Sequence, residues 1–189
     1  MKILKCATAL VLGTVVSIYP LSTKEKQHIS KAGIEHILKE EGCSLCAYQD
    51  SVGVETIGIG ATRDLNHKAI DPSLILTNED VARLLVNNLT TVETCLDNSL
   101  NGQAMPQSVY DASGSLVFQV GCRGTTQNKN KGKTRLKLAS EKEDWLKFCS
   151  HFTDYKYAGK KVNKAILERR EREKIMCLID VGDTDVEQD

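Results

Sequence analysis

Three side chains in the run from residue 41 to residue 62, EGCSLCAYQDSVGVETIGIGAT, have the types and spacing that acid–base chemistry uses. Glu41 opens the run, Asp50 lies nine positions on, and Thr56 follows six positions later. One carboxyl that holds a proton and one that stays ionised can break a glycosidic bond: the first protonates the leaving oxygen, and the second works from the opposite face of the sugar. A strand hydroxyl such as that of Thr56 can hold a water. Two acids nine residues apart are commonplace in solvated surfaces, and Glu40 beside Glu41 leaves the choice of donor open on spacing alone.

Such a pair needs a helix end and a strand edge to hold it. Ser30 is predicted to cap a helix carrying Ile34, Ile37 and Leu38 on one face and ending near Gly42. Gly53, Gly58 and Gly60 punctuate a short β region. Thr77 and Asp80 have capping-box spacing. After them Val81, Leu84, Leu85, Leu89, Val92 and Leu96 recur at helical intervals, predicting a helix of about five turns that can join two lobes. Residues 109–120, 145–152 and 165–178 are also compatible with helices, and the Lys- and Gly-rich stretch 129–137 reads as a loop. At 189 residues with 5% aromatics and three prolines, the chain is expected to form one helix-rich domain plus a terminal segment.

Net charge is zero but unevenly spread. Residues 123–174 hold 16 Lys or Arg against 7 Asp or Glu, and residues 180–189 hold five acids and no base. The basic stretch suits an anionic polymer or a solvated helical surface; the acidic tail, residues 181–189, reads as disordered. At the other end, Lys2 and Lys5 precede 18 uncharged residues, 6–23, closed by Lys24. As one helix these would span roughly 27 Å, near the minimum for a bilayer core. The positive flank would stay in the cytoplasm and the remainder would face outward. The segment is diluted by Thr, Ser, Ala and Gly, and Pro20 disfavours helix near its far end; a cleaved signal peptide is the alternative. Seven cysteines in an exported chain point to disulfides. Cys6 lies in the apolar segment, Cys43 and Cys46 between the two acids, and Cys95, Cys122, Cys149 and Cys177 in the remainder, where spacing leaves three pairings open. Cys43-x-x-Cys46 is half a zinc motif without a second half, so no metal or cofactor is expected.

Taken together, Glu41-Gly42, Tyr48-x-Asp50, Gly53, residues 56–60 (TIGIG), Leu76-Thr77, Tyr110-Asp111-Ala112, residues 117–121 (VFQVG) and Leu167-x-Arg169-Arg170-x-x-Glu173 resemble the phage-type lysozymes, the muramidase endolysins. The resemblance covers residues 31–178. It implies an α+β, two-lobed lysozyme-like fold, with a small β-hairpin lobe joined by the long helix to a helical C-terminal lobe, over a catalytic domain of residues 25–180. It implies hydrolysis of the β-1,4 bond between N-acetylmuramic acid and N-acetylglucosamine in peptidoglycan, by a monomer without a nucleic-acid partner. Glu41 would be the general acid, Asp50 the carboxylate that steers the water, and Thr56 its holder. Ala61 stands where the family usually has His, and residues 122–133 drift from its pattern. A lytic transglycosylase or a non-catalytic wall-binding protein on the same fold is the rival reading; Asp50 and Thr56 argue against the first.

The N-terminal segment, residues 1–24, is similar to that of signal-anchor-release endolysins, which are exported tethered to the inner membrane and later freed into the periplasm. Cysteine placement suggests a covalent lock: Cys43 pairs with Cys46 while Cys6 is in the membrane, and on release the Cys6 thiolate attacks that bond and frees one partner; the alternative is a permanent Cys43–Cys46 bridge with Cys6 a passive small residue. The resemblance favours Cys95–Cys122 and Cys149–Cys177 as structural bridges. Arg169 and Arg170 could reach Glu41, with a surface ion pair on their own helix the simpler expectation.

Overall fold

The computed structural model describes residues 4–20, 22–23, 26–50 and 53–182. The expected acidic tail from 183 onward, and parts of the expected N-terminal segment, lie outside the described residues. The architecture is α+β. The chain divides into two compact units, residues 1–20 with 34–90 and residues 21–33 with 91–189.

In the first unit, helix α1 (Thr8–Ile18) buries Val11 and Val15, and Tyr19 is buried just beyond its end. It has 11 residues, about 16 Å, rather than the 18 expected: Tyr19 leaves helical geometry and Pro20 follows. No helix among the described residues is long and apolar enough to cross a membrane. Helix α2 (Lys31–Glu41) stops at Gly42, whose φ of +71° is the left-handed turn that glycine takes without penalty. Strand β1 (Ser44–Gln49) starts two residues later and pairs antiparallel with β2 (Glu55–Gly58), setting Tyr48 opposite Thr56. The ladder register shifts between Ser44 and Tyr48. Two further stretches add to β1. Leu45 donates its N–H to the Leu4 carbonyl at 2.7 Å, and the Leu45 carbonyl accepts from Leu76 N–H at 2.8 Å. The N-terminal stretch is thereby laid beside the start of β1.

Helix α3 (Asn78–Ser99) is longer than the five turns expected, with 22 residues. Its start is the capping box read from sequence. Thr77 N–H donates to Asp80 Oδ2 at 2.9 Å, and Asp80 N–H donates back to Thr77 Oγ1 at 3.1 Å. All six apolar positions from Val81 to Leu96 named above are buried.

In the second unit, α4 (Gln107–Val120) is buried from Ser108 to Val117. Short helices α5 (Cys122–Thr126), α6 (Arg135–Ser140) and α7 (Trp145–Ser150) follow. The predicted 129–137 loop therefore ends at Thr134, whose side chain accepts Lys137 N–H and starts α6. The predicted helix through residue 152 stops at Ser150 and passes into a 3₁₀ turn, His151–Tyr155. A small hairpin, β3 (Tyr157–Ala158) and β4 (Lys161–Val162), precedes α8 (Lys164–Cys177). Disulfides join Cys95 to Cys122 and Cys149 to Cys177, each with Cα atoms 5.7 Å apart.

Two buried carboxylates hold the extended stretch leading into α2. Glu93 accepts Ile29 N–H at 2.8 Å and faces His28 Nδ1 at 3.0 Å. Asp111 accepts Ser30 N–H at 2.7 Å and the Ser30 hydroxyl; burial pushes its carboxyl up, opposed by these bonds and by Gln107. Gly33 lets this approach happen, because a Cβ there would meet the Asp111 carboxyl at 2.8 Å. Within α8, the expected surface pairing of Arg169 and Arg170 is instead a buried cluster. Arg169 Nε, Arg170 Nη2 and the Ser115 hydroxyl all donate to Glu173 Oε1, at 2.9, 3.0 and 2.7 Å. Helix α8 lays its charged face on α4 because Ser115 and its small neighbours leave room for long side chains. Burial pushes the Glu173 carboxyl up, and the arginines and Ser115 pull it back. Glu173→Ala should lower the unfolding free energy by about 3–5 kcal/mol, since it leaves two buried guanidinium groups without their shared acceptor; a urea titration of variant against wild type measures this.

Candidate active site

Glu41 is the last residue of α2, and the left-handed Gly42 turns the backbone away beneath it. Its Oε1 is buried. Its Oε2 lies 4.0 Å from where a Cβ on Gly60 would stand, so the tight turn after β2 forms one wall of the carboxyl's surroundings. Ala61 closes that turn: Ile57 and Ala61 exchange backbone hydrogen bonds of 2.9 and 3.0 Å.

Asp50 follows directly on β1. Its N–H donates to the Val54 carbonyl at 3.0 Å, and its Oδ1 accepts Val54 N–H at 2.8 Å. A local Asx-type bond of this kind fixes the carboxylate at the mouth of the hairpin. Thr56, in β2, is only 4% exposed. Its hydroxyl donates to the Val54 carbonyl at 3.0 Å, which leaves its oxygen lone pairs as the group it can offer a neighbour.

The residue that ties these groups together is Tyr48, which the sequence reading treated only as part of a motif. Its half-buried phenol is pushed above the ordinary value of 10.0, first by burial and then by the negative charges of Glu41 and Asp50. Tyr48 lies opposite Thr56 across the β1–β2 ladder. Strand periodicity was the available signal: Tyr48 and Asp50 are two residues apart and so share a face of an extended chain.

The cysteines are sorted as follows. Cys6 is bonded to Cys43, with Cα atoms 5.4 Å apart, and Cys46 carries a free, half-buried thiol. A cavity of about 460 Å³ opens beside the bridge, lined by Lys5, Leu12, Glu35, Leu38 and Lys39 along with the two bonded cysteines. Among the described residues, no group of three or more His, Cys, Asp and Glu could hold a metal ion. Glu41→Gln should lower the Tyr48 phenol pKa towards its ordinary value, because removing a nearby negative charge favours the phenolate. Titration of Tyr48 by NMR in both proteins measures the direction, and an unmoved phenol would separate Glu41 from this site.

The sequence profile described as phage lysozyme matches residues 38–173. A SAR-endolysin of Haemophilus phage HP1 is 34% identical over 163 residues, covering 84% of this chain and 85% of that protein. The crystal structure of the active form of the P1 phage endolysin Lyz superposes with a TM-score of 0.80 at 25% identity, over 94% of this chain and 97% of that one. The secreted inactive form of the same P1 protein superposes with a TM-score of 0.57 at 21% identity, over 82% and 97%.

Proposed function

This chain belongs to the phage lysozyme family, and we propose that it is an endolysin that hydrolyses the β-1,4 bond between N-acetylmuramic acid and N-acetylglucosamine in peptidoglycan. The observation that carries the reading is the placement of Glu41 at the end of α2, its carboxyl against the turn that follows β2, beside the hairpin that holds Asp50 and Thr56. Glu41 gives its proton to the leaving glycosidic oxygen as the bond lengthens. Asp50 takes a proton from the attacking water and offsets the positive charge that develops at the anomeric carbon. Thr56, its own proton committed to Val54, accepts a hydrogen bond from that water and turns the water's lone pair towards carbon. Attack from the face opposite the leaving group inverts the anomeric centre.

The same proposal covers export and activation. In lipid, residues 6–23 must satisfy every backbone group internally and so run as one helix. In water, part of that segment is α1, with Val11, Val15 and Tyr19 buried in the first unit. Burial of this kind offsets about 1.5–3 kcal/mol per large apolar side chain of the cost of leaving lipid for water, so a weakly apolar segment faces a smaller barrier to release. Export would therefore tether the chain to the inner membrane facing the periplasm, and release would free it there.

Activation is thiol–disulfide exchange. Before release, Cys43 is bonded to Cys46, across the part of β1 where the ladder is already irregular. The Cys6 thiolate attacks Cys43 Sγ, a Cys6–Cys43 bond forms, and the pair of electrons of the broken bond leaves on Cys46, which takes up a proton. No outside oxidant is consumed. A Cys6–Cys43 bridge with Cys46 reduced is what the exchange would leave, and greater likeness to the active than to the inactive P1 form supports the same reading.

Glu41→Gln should cut kcat on peptidoglycan by about a thousandfold while leaving wall binding intact. Wild-type digests should end in reducing muramic acid, and anhydro-muramic ends would assign a transglycosylase instead. Cys6→Ser should leave the released protein inactive until a reductant is added. Full activity of that variant without reductant would remove the exchange mechanism and leave the hydrolase reading untouched.

A further inference from the structure

The β3–β4 hairpin is the most conspicuous surface that this mechanism leaves unused. Every residue from Tyr157 to Val162 is exposed. Tyr157 pairs with Val162 across the hairpin, and these two apolar side chains stand 53% and 54% in solvent. Gly159, with φ of +61°, makes the turn, and Asn163 N–H closes the base on the Lys156 carbonyl at 2.9 Å. A two-stranded hairpin with both faces in water is marginal by itself.

Its charge is one-sided. Lys156, Lys160, Lys161 and Lys164 fall in nine residues, and no acid occurs from 155 to 167. Lys164 lies 3.8 Å from Glu168 with both side chains largely in solvent. Among the described residues no ion pair engages Lys160 or Lys161, and Lys156 sits 6.0 Å from the Tyr157 ring. The order of these groups along the hairpin selects the partner. The apolar pair is at the base, and the tip is Gly159-Lys160 with Lys161 beside it. A bilayer would need the reverse, because sinking Tyr157 and Val162 into lipid would drag two ammonium groups in first. A polymer laid along the hairpin meets two ammonium groups at the tip and an apolar face at the base, so its own carboxylates fall at the tip.

We propose that the β3–β4 hairpin is a docking surface for the carboxylate-bearing peptides of the wall polymer, engaged through Lys160 and Lys161 with Tyr157 and Val162 beneath. This rests on peptidoglycan being the substrate. The hairpin raises affinity for the peptide-bearing polymer and takes no part in bond cleavage.

The test compares wild type with the double variant Lys160→Glu, Lys161→Glu on two substrates, intact sacculi and glycan strands stripped of their peptides. On sacculi, KM should rise about fivefold, the size expected for two exposed ion pairs, with kcat held. On stripped strands the two proteins should have the same KM. Added salt should raise the wild-type KM on sacculi and lower the variant's, by screening attraction in the one and repulsion in the other. Equal KM on sacculi, or an equal rise on both substrates, overturns the proposal. So does loss of binding to anionic phospholipid vesicles with KM on sacculi unchanged, which would assign the hairpin to a lipid surface. Should the charge reversal disturb folding by circular dichroism, Lys160→Gln, Lys161→Gln carries the same expectation at smaller size. A wild-type protein that cuts neither substrate refutes the hydrolase reading itself, a result separate from any difference between the two proteins.

Discussion

Only Gly42 and Cys43 separate the last residue of α2 from the first residue of β1, and the rest of the first unit depends on that short connection. Gly42 takes the left-handed turn that ends the helix, so there is no slack between the carboxyl of Glu41 and the sulfur of Cys43. A bond made by Cys43 acts on the backbone two residues from the acid. A bond back to Cys46 would pull the start of β1 onto itself, whereas the bond to Cys6 leaves β1 free to run on to Tyr48 and Asp50. In the proposed mechanism, chemistry and covalent control would share one turn because the chain is too short there to separate them.

On the proposed export route, the N-terminal stretch meets two solvents. In lipid, an apolar helix without charge is favourable, and in water the same residues must find cover. The structure supplies it for Val11, Val15 and Tyr19, while Leu4, Leu10 and Ile18 stay exposed. Hydrogen bonds from Ala7 N–H to Asn78 and from Leu45 N–H to Leu4 hold the stretch by its backbone, independent of side-chain apolarity. A segment held partly by backbone bonds can remain only weakly apolar and still dock.

The second unit uses buried charge where the first uses a buried acid. Glu93 and Asp111 receive the backbone amides of Ile29 and Ser30, and Glu173 gathers two arginines. Each of these carboxylates is covered by specific donors, so taking any one away exposes the others' desolvation rather than a simple loss of contact. These networks place the extended stretch leading into α2 and the last helix with a definite register, which apolar packing alone would set less sharply.

Much of this was readable from residues with local causes. Ser30 and Gly42 bound α2, Thr77 with Asp80 starts α3, and the apolar repeat from Val81 to Leu96 is buried as the helical period requires, because caps and periodicity act within a few residues. The three site residues were named from a motif, and the motif depends on the resemblance: spacing alone did not choose Glu41 over Glu40. Short elements were not readable. Helices α5 and α6 and the β3–β4 hairpin are too brief to be stable alone, so their existence depends on what surrounds them. The length of α1 belongs with these, since a uniform apolar run does not say which surface will stop it.

The sequence by itself determined which groups are available: two acids, a strand hydroxyl, seven cysteines and a charge-free N-terminal stretch. Only the tertiary structure decided that Tyr48 feels both acids, that Cys6 rather than Cys46 holds Cys43, and that Arg169 and Arg170 go inside. Those are facts of proximity between residues far apart or on different elements, and proximity comes from packing, which no local rule of capping or period can specify.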